Sequence, residues 1–134
     1  MKYNVIICVL ICSFTSCKSE ENNSEAIIEC NCDNLTLDQL YNHFYIENRK
    51  HAYTGMCFKL DKKGDTLETI NYNKGKVEGV LTKFYTSGKT KSETTFKKNK
   101  YHGDLKEWDE NGVLIFHGIY DDGEYDSTLI DNRR

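Results

Sequence analysis

The chain has 134 residues, a formal charge of −3, six cysteines, no proline, and aromatic side chains at 12 % of positions. That length suits one domain with a modest core. Mild acidity with scattered lysines excludes the basic stripe that nucleic-acid binding uses, and the lack of proline excludes a proline-rich linker while suiting continuous strand pairing.

From the start, Met1-Lys2-Tyr3-Asn4 forms a basic lead, and Val5 to Cys12 is an unbroken apolar run. The run is far short of the ~20 residues that span a bilayer and has the length of a signal-peptide core. Phe14-Thr15-Ser16-Cys17 follows and resembles the lipobox of bacterial lipoproteins, with Phe14 where aliphatic residues are commoner. The resemblance implies that residues 1–16 are removed and that Cys17 becomes the acylated N-terminus. The expected localisation is then the cell envelope, lipid-anchored, at the outer membrane, with the membrane as first partner. Cleavage would leave 17 basic and 21 acidic residues.

Residues 17–29 read as a flexible tether, polar and acidic through Lys18-Ser19-Glu20-Glu21. The acidic cluster after Cys17 also resembles lipoprotein export signals of Bacteroidota, and a plain linker fits equally. Three cysteines then remain, Cys30, Cys32 and Cys57, and an oxidising compartment favours one bridge among them. Cys57 should point inward, because its column carries Leu81 and Leu105 in later copies. A Cys32–Cys57 bridge is preferred over Cys30–Cys57, since Cys32 lies nearer the start of the helix expected after Thr36, and a chain folding back from Thr36 can bring it over the first strand. A Cys-x-Cys pair with one further thiol is poor zinc spacing, so no metal site is expected.

Residues 30–52 are read as a cysteine-containing helical cap. Thr36 and Gln39 form a capping-box pattern, and Leu37, Leu40, Tyr41 and Phe44 fall on one helical stripe. The expected helix runs from Leu37 to about Glu47, its stripe covering the first hairpin, as terminal repeats require.

Residues 53–134 are organised by a 24-residue step. Gly55, Gly79 and Gly103 keep it, as do Gly64, Gly88 and Gly112, Tyr72, Phe96 and Tyr120, and Leu60, Phe84 and Trp108. Each copy holds two β-prone runs around a glycine turn, so the fold class is mainly β, an antiparallel meander of stacked hairpins with one N-terminal capping helix. Asn111-Gly112 is the strongest type I′ turn signal. Positions 57 and 60 are both apolar yet lie on opposite pleat faces. Either a bulge shifts the register within each first strand, or both sheet faces are partly covered. Tyr125 to Leu129 re-enters the pattern with Ser127 at the glycine position, as a partial fourth copy.

Tyr53-Thr54-Gly55, Phe84-Tyr85-Thr86-Ser87-Gly88-Lys89 and Trp108-Asp109-Glu110-Asn111-Gly112 resemble the bacterial MORN-repeat variant, catalogued among YwqK-like antitoxins. The resemblance covers about Tyr53 to Asp126. It implies a stack of hairpins used as a binding or scaffolding surface, without catalytic residues or cofactors. Tyr85, Tyr101 and Trp108 are the surface candidates for a protein or glycan partner. The alternative is an antitoxin or immunity-type protein that occludes an enzyme. No phosphate loop, nucleophile elbow or HExxH motif is present, so no enzymatic activity is expected. His117 and Glu93 share a column in neighbouring copies and are read as a structural pair. Asp121-Asp122-Gly123-Glu124 lacks the ligand ladder of a calcium loop and is read as a solvated turn.

Overall fold

The structure, a computed structural model, describes residues 29–46 and 51–133. The signal sequence, Cys17 and the tether before Glu29 lie outside these. The chain is mainly β. Its strands are β1 (Glu29–Asn31), β2 (Thr36–Asp38), β3 (His43–Ile46), β4 (His51–Ala52), β5 (Gly55–Leu60), β6 (Thr66–Asn73), β7 (Lys76–Val77), β8 (Gly79–Phe84), β9 (Thr90–Lys97), β10 (Lys100–Trp108), β11 (Leu114–Asp121) and β12 (Glu124–Asp131). From β5 onward they run as an antiparallel meander in one nine-stranded sheet, and β1 adds to its edge in parallel with β5. A second sheet, β2-β3-β4, closes the same end.

Turn lengths follow from where the ladder stops. Asn73 pairs Lys76, Lys97 pairs Lys100, and Asp121 pairs Glu124, which leaves two residues in each link between hairpins. Those pairs, Lys74-Gly75, Lys98-Asn99 and Asp122-Gly123, all take positive φ, the signature of a type I′ turn. At the opposite ends the tips are wider, with Gly64, Gly88 and Gly112 donating to the carbonyls of Asp61, Tyr85 and Asp109 at 3.1, 2.9 and 2.9 Å. Asn111-Gly112 is therefore not a type I′ turn. Gly112 has φ +87°, whereas Asn111 keeps an ordinary φ.

A bulge accompanies the apolar columns at 57 and 60, but on the opposite strand from the one expected, and it does not bring the two to one face: Cys57 is fully buried and Leu60 is 41 % exposed. Lys59 pairs Glu68 but Leu60 pairs Thr66, so the extra residue, Leu67, sits on the returning strand rather than the first. Lys91 and Ile115 are the extra residues at the same step in the next two hairpins. Each bulge re-aims the side chains of the tip relative to the sheet.

The expected helix is replaced by a hairpin. Thr36, Leu37 and Asp38 pair with Tyr45, Phe44 and His43. The Asp38 carboxylate accepts from the backbone N–H of Leu40 at 3.0 Å and of Tyr41 at 3.4 Å, and Asn42 reverses the chain at φ +52°. The apolar stripe is thereby split. Phe44 packs on Tyr72 with ring centroids 4.9 Å apart, while Leu40 is left 82 % exposed. Tertiary hydrogen bonds decide the outcome, since a short isolated helix is marginal in water. The Phe44 N–H donates to the Gly75 carbonyl at 2.7 Å, and its carbonyl accepts from Tyr53 N–H at 2.9 Å.

The buried core lies under this cap. Tyr53, Cys57 and Tyr72 form it, with Phe44, Ile46, Leu35, Ile70, Val77 and Cys30 packed around. A single 3₁₀ turn, Cys32–Asn34, brings Cys32 within 5.0 Å of Cys57 between Cα atoms, and the two are joined in a disulfide. Cys30 lies opposite Cys57 in the parallel ladder but remains a half-buried free thiol. At the far end Phe116 is buried beneath the Arg133 guanidinium, 3.7 Å from its ring centroid. β12 follows as the edge strand. It carries Glu124, Asp126 and Asp131 and two register shifts, devices that discourage pairing with another chain.

Burial also sets an alkaline limit. Burial first, then the charges of Cys30 and Glu68, push the Tyr72 hydroxyl from 10.0 up to about 12. The folded state thus favours neutral Tyr72, a contribution complete below pH 10 and lost as pH rises through about 12. Each tenfold change in proton affinity is worth roughly 1.4 kcal/mol, so about 2–3 kcal/mol of stability should disappear over that window. Urea midpoints measured across it should fall for the natural chain and fall less for Tyr72→Phe. Parallel curves would show that Tyr72 is not responsible.

Candidate functional site

The sheet's pairing between hairpins stops short of the tips. β6 and β8 pair only through Thr69↔Thr82 and Glu68↔Lys83, and β9 and β10 end their ladder at Ser92↔Glu107. Beyond those points the tips splay and clefts open between them. The first cleft, about 450 Å³, lies between the tips of the first and second hairpins. Phe58, Leu67, Phe84 and Tyr85 supply its apolar surface, with Thr66, Thr69, Thr86 and Ser87 as hydroxyl donors and acceptors. A second, of about 520 Å³, lies one hairpin on against Trp108.

The middle tip is chemically unlike its neighbours. Asp61 and Asp109 occupy the equivalent position in the outer tips, and each carboxylate holds its own turn together. Asp61 Oδ1 accepts from Lys63 and Asp65 N–H at 2.7 and 3.0 Å, and Asp109 Oδ1 from Asn111 and Val113 N–H at 2.9 Å each. Those bonds hold the Asp109 carboxyl below the usual carboxylate range. In the middle tip the position is Tyr85, which gives up this cap. Its hydroxyl instead donates to the Trp108 carbonyl at 2.7 Å, and the Lys91 ammonium lies 5.5 Å from its ring centroid. The ring is thus fixed from the neighbouring strand while it lines the first cleft. Thr86-Ser87 is uncharged where the outer tips have Lys62-Lys63 and Glu110-Asn111.

Of the three aromatic candidates, Tyr85 and Trp108 come together here and Tyr101 does not. Tyr101 stacks with Phe96 and Tyr120 at centroid distances of 4.9 and 5.3 Å, in an aromatic ladder toward the type I′ end of the sheet. Sequence columns alone missed Phe58 and Leu67. The signal for the site was the break at Tyr85 in an otherwise aspartate column.

His117 and Glu93 are not paired. Lys106 lies between them in the ladder, and His117 Nε2 meets Asp104 Oδ1 at 2.5 Å. This bond, aided by Lys106, holds the Asp104 carboxyl below its ordinary value. At the last turn Asp122 meets the Lys100 ammonium at 2.8 Å and Asp121 meets the His102 imidazole at 3.0 Å, so both carboxylates are engaged by side chains of β10. Among the described residues no group of three or more His, Cys, Asp or Glu side chains is placed to hold a metal ion. No helix among them is long and apolar enough to cross a membrane.

No protein-family model, curated protein or solved structure matches this chain.

Proposed function

We propose that this is a lipid-anchored envelope protein whose hairpins, 24-residue repeats of the MORN type, present the tip clefts as a binding surface. The carrying observation is the middle tip. A turn-capping aspartate is replaced by a tyrosine whose ring is fastened against an open, aromatic, hydroxyl-lined cleft. Binding sites are concave, mostly apolar, and set with a few placed polar groups, and this cleft has that make-up. The Phe14-Thr15-Ser16-Cys17 sequence supports the anchor.

Two measurements test the reading. Cys17→Ser should move the protein from the membrane to the soluble fraction, because it removes the thiol that takes the lipid, and the acyl chains carry the anchoring. Continued full membrane association of that variant removes the lipid anchor. A photo-cross-linker at Ser87 should capture an envelope component, whereas the same group at Lys98, by the opposite turns, should not. One dominant toxin-like enzyme at Ser87 would convert the reading to an immunity protein.

A further inference from the structure

The two tip clefts occupy equivalent places in successive hairpins, the second with Glu93 where the first has Thr69. Thr66, Thr69, Phe84 and Ser87 of the first step by 24 residues onto Thr90, Glu93, Trp108 and Asn111 of the second. Gly88 lines both, so the clefts adjoin along the middle tip. Each offers an aromatic side chain at the equivalent position, Phe84 at the end of β8 and Trp108 at the end of β10, and the first cleft adds Phe58 and Tyr85. Those strands are separated by one intervening strand, which sets the repeat of the two clefts at about 10 Å.

We infer that the clefts are tandem subsites for one extended polysaccharide, with Phe84 and Trp108 each packing against the apolar face of a sugar ring. The inference rests on the binding-surface reading and specifies its ligand class. A flat sugar with equatorial linkages has a C–H face and a rim of hydroxyls. Aromatic side chains beside Thr66, Thr69, Thr86 and Ser87 complement both, since each hydroxyl donates one bond and accepts others. A disaccharide of such sugars spans about the interval between the clefts, so alternate rings fall on successive aromatics. A ligand reaching both clefts must cross the strands rather than run along one. It cannot extend the backbone ladder, the main source of affinity when an extended peptide joins a sheet. Recognition is left to side chains, which suits a sugar polymer better than a peptide.

Trp108 is the only tryptophan in the chain, so its emission reports the second subsite directly. The full chain is titrated with β-1,4-linked glucose and N-acetylglucosamine oligosaccharides of increasing length. Trp108 emission should shift to the blue, and half-saturation should tighten about 10-fold or more from disaccharide to tetrasaccharide as the second cleft becomes an intramolecular site. Phe84→Ala should abolish that length dependence while the disaccharide response at Trp108 persists. Phe84→Leu, which keeps apolar volume and the thermal midpoint, should do the same. Half-saturation independent of length overturns the tandem arrangement. An emission change with unstructured peptides and none with either sugar ladder overturns the ligand class. If both ladders are silent while Ser87 still captures an envelope component, the polysaccharide assignment fails and the binding-surface reading stands. Silence from the ladders and from the cross-linker removes both.

Discussion

Gly75→Ala should destabilise the domain by about 2–5 kcal/mol, combining ~1–2 for a left-handed alanine with 1–3 for overpacking. Gly75 has φ +79°, and a Cβ there would lie 2.9 Å from the Phe44 carbonyl oxygen and 3.0 Å from His43 Cβ. The backbone of Gly75 is also the hinge on which the cap docks, donating to the Tyr53 carbonyl and accepting from Phe44 N–H, both at 2.7 Å. The neighbour must therefore move, and the bonds that replace the expected helix with a hairpin loosen with it. Gly88→Ala is the matched control. Its φ is also +79°, but nothing lies within 4 Å of its Cβ, so only the backbone term of roughly 1–2 kcal/mol applies. Chemical denaturation of the two variants should separate them clearly. Equal losses would show that the cap does not press on Gly75.

Cys32→Ala should cost about 3 kcal/mol, the chain-entropy value for a loop of this size. The bridged residues are 25 apart, and the Cys57 end is wholly buried. Reduction of the natural chain should bring its unfolding curve onto that of Cys32→Ala. Cys30→Ala, which removes only a half-buried free thiol, should cost well under half as much, by the scale of small core truncations. If the Cys30 variant lost as much as the Cys32 variant, the bridge would be wrongly assigned. Stability equal to the natural chain in Cys32→Ala would mean the bridge contributes nothing.

Both outcomes concern one end of the sheet, where local sequence was least informative. Thr36 to Phe44 carries a capping-box pattern and an apolar stripe at helical spacing. The hairpin prevails because Phe44 is matched to three tertiary partners at once: the Gly75 carbonyl, the Tyr53 N–H and the Tyr72 ring. Gly75 and Tyr72 lie about thirty residues on, beyond any local window, and Tyr53, though near in the chain, is brought to Phe44 by the sheet. The turns show the same limit. Asn111-Gly112 is the strongest dipeptide for a two-residue turn, yet Trp108 pairs Leu114 and leaves a wider loop for Asp109 to cap. Lys98-Asn99 is a poor dipeptide for the same turn, yet Lys97 pairs Lys100 and permits nothing longer. Turn type is set by where the ladder ends, and the ladder is a pairing of whole neighbouring strands.

The Cys32–Cys57 pairing was expected from nearness to a helix that the hairpin replaces. Legible in the residues alone were the β class, the meander, the turns at Gly64, Gly88 and Gly112, and the inward side of Cys57. These follow from patterns that recur every 24 residues or from a buried apolar column, signals that survive without knowledge of neighbours. Only the tertiary structure decided the hairpin at Thr36–Ile46, the side of the bulge, the partner of His117, and the gathering of Phe58, Phe84 and Tyr85 into one cleft. Each depends on which strands stop pairing and where. Strand pairing is a contact between residues far apart in the chain, so its end points are fixed by the assembled sheet and not by any segment within it.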